Sequence, residues 1–167
     1  LRKLESCGAD CLVMPCNTAH YFLPQLQSLT KVPFLSMLQA TAAACRDQFP
    51  DAVAGVLATR GTLKSGLYQQ ALTDAGVPFL IPEEEEQDAL MRVIYDGVKA
   101  GKGPEVYGAD MNAVVEALGR RGAGYFILGC TELPLAAEQM GLLAPTVDPT
   151  EELAKAAIRF CGYRVRE

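Results

Sequence analysis

Apolar runs of strand length alternate along this chain with stretches of helical pattern, and that alternation admits few folds. The run Cys11-Leu12-Val13-Met14 is continuous, as in a parallel strand buried on both faces. Further strands are expected at 32–35, 53–58, 77–81, 125–128 and 145–147. Helices are expected at 38–49, up to Gly76, after Pro82, at 110–121 and at 149–161, with loops at 59–62 and 101–108. Pro82 is read as opening its helix, with Glu83, Glu84, Glu85 and Glu86 in the first turn, where carboxylates meet the positive end of the dipole. Strands that alternate with helices need crossover connections, which give parallel sheets of one hand.

The chain also repeats itself. Leu4, Gly8-Ala9 and Cys16 recur as Leu118, Gly122-Ala123 and Cys130, each pair 114 positions apart. The expected fold class is therefore α/β, with two pseudo-symmetric lobes, each a parallel sheet flanked by helices. Extending the repeat backwards predicts that the first lobe lacks an N-terminal strand–helix–strand of roughly 60 residues. The absence of an initiator Met agrees with a fragment. The lobes are placed at 1–50, the remainder of the first, and 51–148, the second. A C-terminal helix at 149–167 is expected to pack back on the first lobe.

Half the 167 residues are hydrophobic, enough for a sizeable core. The net charge of −5 and the lack of a basic stripe exclude a nucleic-acid partner. No apolar run reaches the ~20 residues of a membrane span, and no signal peptide opens the sequence. Six cysteines without the spacing of a small disulfide scaffold predict a reducing, cytoplasmic setting.

The repeat sets a cysteine at the C-terminal end of a strand in each half, where open α/β sheets bind ligands. Two thiols facing one another across a cleft suit one chemistry especially well. One takes a proton from a carbon and the other returns a proton to the opposite face. Helix N-termini after Cys16 and Cys130 are expected to lower both thiol pKa values below ~8.5. Asn17, Thr18 and Thr131 stand beside the sulfurs, and Thr59 and Thr62 lie at a third strand exit. These short donors can hold a carboxylate without a full positive charge. The carbon acid is weak, so the step needs a water-poor site with fixed donors. It demands no cofactor and no metal.

Pro15-Cys16-Asn17-Thr18-Ala19-His20 and Gly129-Cys130-Thr131-Glu132-Leu133-Pro134 resemble the two signatures of the aspartate/glutamate racemase family. Ala58-Thr59-Arg60-Gly61-Thr62 and Ser65-Gly66-Leu67-Tyr68 resemble it too. The likeness covers the chain in order and spacing. It implies a cofactor-independent racemase of an acidic amino acid, commonly a homodimer, with substrate between two lobes. It casts Cys16 and Cys130 as the acid/base pair and Asn17, Thr18 and Thr131 as substrate ligands. Lys99 matches a lysine that aspartate racemases use before the second signature. Glu132, where the glutamate branch carries His, points to aspartate or a broader specificity. The family's first strand and its loop are not here, so the polypeptide as written is expected to be inactive.

Plainer readings stand beside these. Cys7, Cys11, Cys45 and Cys161 read as small core hydrophobes. His20, the only histidine, could orient a carboxylate, tune Cys16 or simply pack. Glu132 could bond near Cys130 or complement a helix start. Arg60 could pair with a substrate carboxylate or face solvent, and the acidic run at 83–86 reads as a solvated face. Rival functions are a decarboxylase or cis–trans isomerase of small dicarboxylates, or a carboxylate-binding module without catalysis.

Overall fold

The computed structural model describes residues 1–166; the last position of the segment expected at 149–167, Glu167, lies outside the described residues. The strands β1 (Leu12–Val13) and β2 (Phe34–Leu35) form a small parallel sheet. β3 (Val53–Ala58), β4 (Phe79–Leu80), β5 (Ala123–Gly129) and β6 (Thr146–Val147) form a second, all parallel, in the order β4-β3-β5-β6. The α-helices are α1 (Arg2–Ser6), α2 (Leu23–Ser28), α3 (Met37–Gln48), α4 (Arg60–Lys64), α5 (Leu67–Asp74), α6 (Glu84–Arg92), α7 (Pro104–Arg120), α8 (Leu133–Met140) and α9 (Pro149–Phe160). A 3-10 turn at Thr18–Phe22 follows Cys16, and a π-helical turn at Val93–Val98 extends α6.

The duplication extends to the strand register. Leu12 opposes Phe34 and Val13 opposes Leu35, while Phe126 opposes Thr146 and Ile127 opposes Val147. Phe126 and Ile127 are the positions the repeat assigns to Leu12 and Val13. In each half a helix ends just before a glycine with positive φ, Gly8 (77°) or Gly122 (107°), which turns the chain into the strand. After the second strand, α3 and α9 each run for 12 residues. Both have a side-chain cap: Ser36 Oγ accepts from Gln39 N (3.3 Å), and Asp148 Oδ1 accepts from Thr150 N (2.8 Å). These equivalent helices pack against each other, and α9 also reaches β2 and β5.

β3 and β5 are apolar on both faces because helices cover both. Ala54, Val56, Ala58, Tyr125 and Ile127 face a cluster with Leu38, Cys45 and Leu72 of α3 and α5. Leu57, Phe126 and Leu128 face the other way, onto Leu90 of α6, Met111 and Leu118 of α7 and Leu133 of α8. Each such side chain taken fully from water contributes about 1.5–3 kcal/mol. This three-layer arrangement presents the C-terminal ends of β3 and β5 together at one edge.

Several expectations differ from the structure. The first strand is not buried on both faces: Val13 is 46% exposed, because among the described residues β1 pairs with β2 alone. The segment 59–62 is not a loop, since Thr59 caps α4 and accepts from Thr62 N (3.3 Å). Pro82 precedes the helix it was expected to open. Glu83 is the N-cap, in a reciprocal capping box with Glu86. Gly108 lies within α7, which begins at Pro104, so 101–108 is not all loop. Cys7 and Cys161 are exposed and Cys11 is half-buried; Cys45 alone of the four is a buried core residue.

Candidate active site

Cys16 follows a two-residue strand, so little regular backbone holds it. Its N–H bonds the Met14 carbonyl (2.8 Å), and the next residues curl into the 3-10 turn. Side chains of distant elements supply the rest. Tyr68 of α5 donates its hydroxyl to Asn17 Oδ1 (2.6 Å), and burial pushes the Tyr68 pKa up, so the phenol keeps its proton. Thr18 Oγ1 lies 2.6 Å from Thr62 Oγ1 and 3.3 Å from Thr59 Oγ1, closing a three-hydroxyl cluster with the 3.0 Å contact between Thr59 and Thr62. His20 Nδ1 is 2.8 Å from the Cys16 carbonyl oxygen, and Met37 N donates to His20 Nε2 (3.0 Å).

Cys130 follows the seven-residue strand β5, inside the second sheet. Its anchor is close in sequence. The thiol donates to Glu132 Oε2 (2.9 Å), which also accepts from Thr131 Oγ1 (3.2 Å). Glu132 Oε1 lies 3.6 Å from Lys99 Nζ, and that ammonium sits 4.5 Å from the centre of the Tyr95 ring. Lys99 and Tyr95 are brought there by the π-helical turn, a local widening common at functional sites. Lys99 N bonds Ile94 O and Lys102 N bonds Gly97 O, both at 3.0 Å, in the i to i+5 pattern. Gly97 lets this turn pack closely on α7: a Cβ there would stand 2.6 Å from the Tyr107 ring.

Cys16 and Cys130 line one cleft of ≈ 100 Å³ with Asn17, Thr18, Thr59, Tyr95, Lys99, Thr131 and Glu132. The thiols do not share an environment. Cys16 is exposed, whereas Cys130 is half-buried. Burial, the bond to Glu132 and its negative charge push the Cys130 pKa up to about 12. This reverses the expected lowering at a helix start, because burial and a carboxylate outweigh the partial charge of a helix terminus. Burial works against the Glu132 carboxylate as well. The bonds it accepts from Cys130, its own N–H and Thr131, with Lys99 nearby, outweigh burial and lower its pKa. Glu132 is therefore an anion facing a protonated thiol.

The Asp/Glu/Hydantoin racemase family description matches residues 1–157. The chain belongs to this racemase family. It is 28% identical over 156 residues to the broad specificity amino-acid racemase RacX of Bacillus subtilis, covering 93% of this chain and 66% of that protein. Among solved structures it resembles the Picrophilus torridus aspartate racemase, with a TM-score of 0.75 and 29% identity, over 99% of this chain and 68% of the other. It also resembles an aspartate racemase homologue from Pyrococcus horikoshii, with a TM-score of 0.83 and 25% identity, over 96% and 70%. The chain thus spans about two thirds of the length of these relatives.

Around this cleft the expected residues divide. Asn17, Thr18, Thr59, Lys99 and Thr131 line it. Thr62 does not; it is fully buried behind Thr18 and Thr59. His20 is 2% exposed and spends both ring nitrogens on backbone, so it cannot orient a substrate carboxylate. Arg60 is committed to Glu84 and Asp88 of α6, away from the cleft. The acidic run is a solvated face as expected at Glu83, Glu84 and Glu85, and within it Glu83 and Glu86 also pair with Arg121 (3.1 and 2.5 Å). Sequence reasoning missed two contributors. Tyr95 is a cleft wall, placed four positions before Lys99 by a π turn that leaves no composition signal. Tyr68 ends the segment Ser65-Gly66-Leu67-Tyr68, but its bond to Asn17 joins residues 51 positions apart.

Proposed function

We propose that this chain carries the thiol pair of a racemase acting on a small acidic amino acid, aspartate foremost and glutamate next. The supporting observation is the single cleft that both thiols line, among amide, hydroxyl and ammonium donors. Cys16 removes the α-proton as a thiolate, breaking the C–H bond and forming S–H. The electron pair left on carbon spreads into the adjacent carboxylate, whose oxygens accept from Asn17 Nδ2 and the hydroxyls of Thr18, Thr59 and Thr131. Cys130, held as a thiol beside Glu132, gives its proton to the opposite face. In the reverse direction the two exchange roles. Lys99 faces the second carboxylate of the substrate. Each properly placed acid or base is worth about 10²–10⁴-fold in rate.

The test compares the full-length protein, unsubstituted, with its Cys16→Ser and Cys130→Ser variants for conversion of L- to D-aspartate and for aspartate binding by calorimetry. Binding kept in both variants with conversion lost from both supports the reading. Full conversion by either variant contradicts it. Aspartate bound by the unsubstituted protein without any turnover supports a carboxylate-binding module instead.

A further inference from the structure

We propose that His20 is a positioning residue that sets the main chain at Cys16 from behind the cleft, as the neutral tautomer with its proton on Nδ1. The hydrogen bonds fix the tautomer. A backbone N–H can only donate, so Nε2, 3.0 Å from Met37 N, is the acceptor and carries no proton. A carbonyl can only accept, so Nδ1, 2.8 Å from Cys16 O, is the donor. Met37 is the first residue of α3, and its N–H belongs to the helix-start donors that have no partner within the helix. One rigid ring thereby ties the carbonyl of Cys16 to the start of a helix in the sheet-covering layer.

The ring is 2% exposed and does not line the cleft, so it acts through Cys16 rather than on substrate. Burial lowers its pKa against the opposing effect of the Cys16 carbonyl, which keeps the acceptor nitrogen unprotonated. A cavity of ≈ 240 Å³ beside it is walled by α2, α3 and α5. α2 and α3 bring no charged side chain to that cavity. α5 brings Asp74, whose Oδ1 already accepts from Gln70 Nε2 (2.7 Å). Besides the thiol of Cys16, the joined segments carry Cys45, Arg46 and Asp47 further along α3, and none of these three lines that cavity. The tie has no counterpart at Cys130, whose anchor is a carboxylate two positions away.

The inference needs Cys16 to matter, which rests on the proposed function, but its readout is thiol reactivity and not turnover. The test is the iodoacetamide labelling rate of Cys16 relative to exposed Cys7, followed by peptide mass spectrometry. His20→Gln keeps an acceptor for Met37 and loses the donor to Cys16. His20→Asn keeps a donor near the Nδ1 position. The expected result is a change of about fivefold in the Cys16-to-Cys7 ratio for H20Q, the factor one neutral hydrogen bond is worth, and less than about twofold for H20N, although both melt earlier. A ratio unchanged in H20Q, or changed equally in both variants, overturns the proposal. Nitrogen NMR of the unsubstituted protein needs no variant to fold. A neutral Nδ1–H ring across about pH 6.5–8 supports the tie, and an Nε2–H or doubly protonated ring there overturns it.

Discussion

The two cysteine loops occupy equivalent places in a duplicated fold yet are held in opposite ways. Cys130 directly follows a seven-residue strand flanked by β3 and β6, and its thiol is tied to a carboxylate two residues on. Cys16 lies three residues beyond a two-residue strand, and its loop is tied by Tyr68, Thr59, Thr62 and Met37 on three other elements. The repeat thus conserves where the sulfur is delivered and not how it is held. One thiol is half-buried beside a carboxylate that favours its protonated form, and the other is exposed.

That difference can be broken most severely at the sulfurs. Cys16→Ser and Cys130→Ser are each expected to lower racemisation at least about 10²-fold, read by chiral chromatography. Next in size is the anchor of Cys130. Glu132→Gln removes the anion beside the thiol, so the pKa of Cys130 falls from about 12 and its labelling by iodoacetamide near pH 9 rises several-fold. Labelling of Cys16 stays the same. An unchanged Cys130 rate would show that burial alone holds the thiol.

The anchors of Cys16 come after these. Tyr68→Phe removes the hydroxyl that holds Asn17 and costs about 1–3 kcal/mol of stability, measured by urea unfolding, because a nearly buried amide oxygen loses its donor. Glu132→Gln lacks this effect, because its partners lie at the cleft surface. A further difference is on the alkaline side. Cys130 and Cys45 have pKa values raised to about 12 and about 11 in the fold, against ~8.5 when unfolded. Their contribution is complete below pH ~8.5. Above it the unfolded chain sheds these protons first, so stability falls as pH rises towards 11 and 12. Urea midpoints at about pH 8 and pH 10 read the fall, and Cys130→Ala flattens part of it.

The same contrast marks what could be read in the sequence. β3 lies at 53–58 as expected, because a strand covered on both faces writes a continuous apolar run. The repeat, the strand-end cysteines and the capped helices are local patterns, and Glu132 beside Cys130 is local too. The ties on Cys16 join positions 17 to 51 residues apart, and no spacing rule encodes those pairings. Val13 shows the limit differently: its run reads like that of Ile127, yet it is 46% exposed where Ile127 is fully buried, since burial depends on neighbouring strands. The raised pKa of Cys130 was equally out of reach, because it follows first from how deeply the folded chain buries the thiol and then from the direction in which Glu132 points.

The most direct measurement is to incubate the protein with L-aspartate in heavy water and follow both enantiomers by proton NMR and chiral separation. Two thiols acting on opposite faces predict that the D-aspartate formed carries deuterium at Cα from the first turnovers, while the recovered L-aspartate keeps its proton. D-aspartate that retains the original proton, or L-aspartate that exchanges before any inversion, would contradict the account.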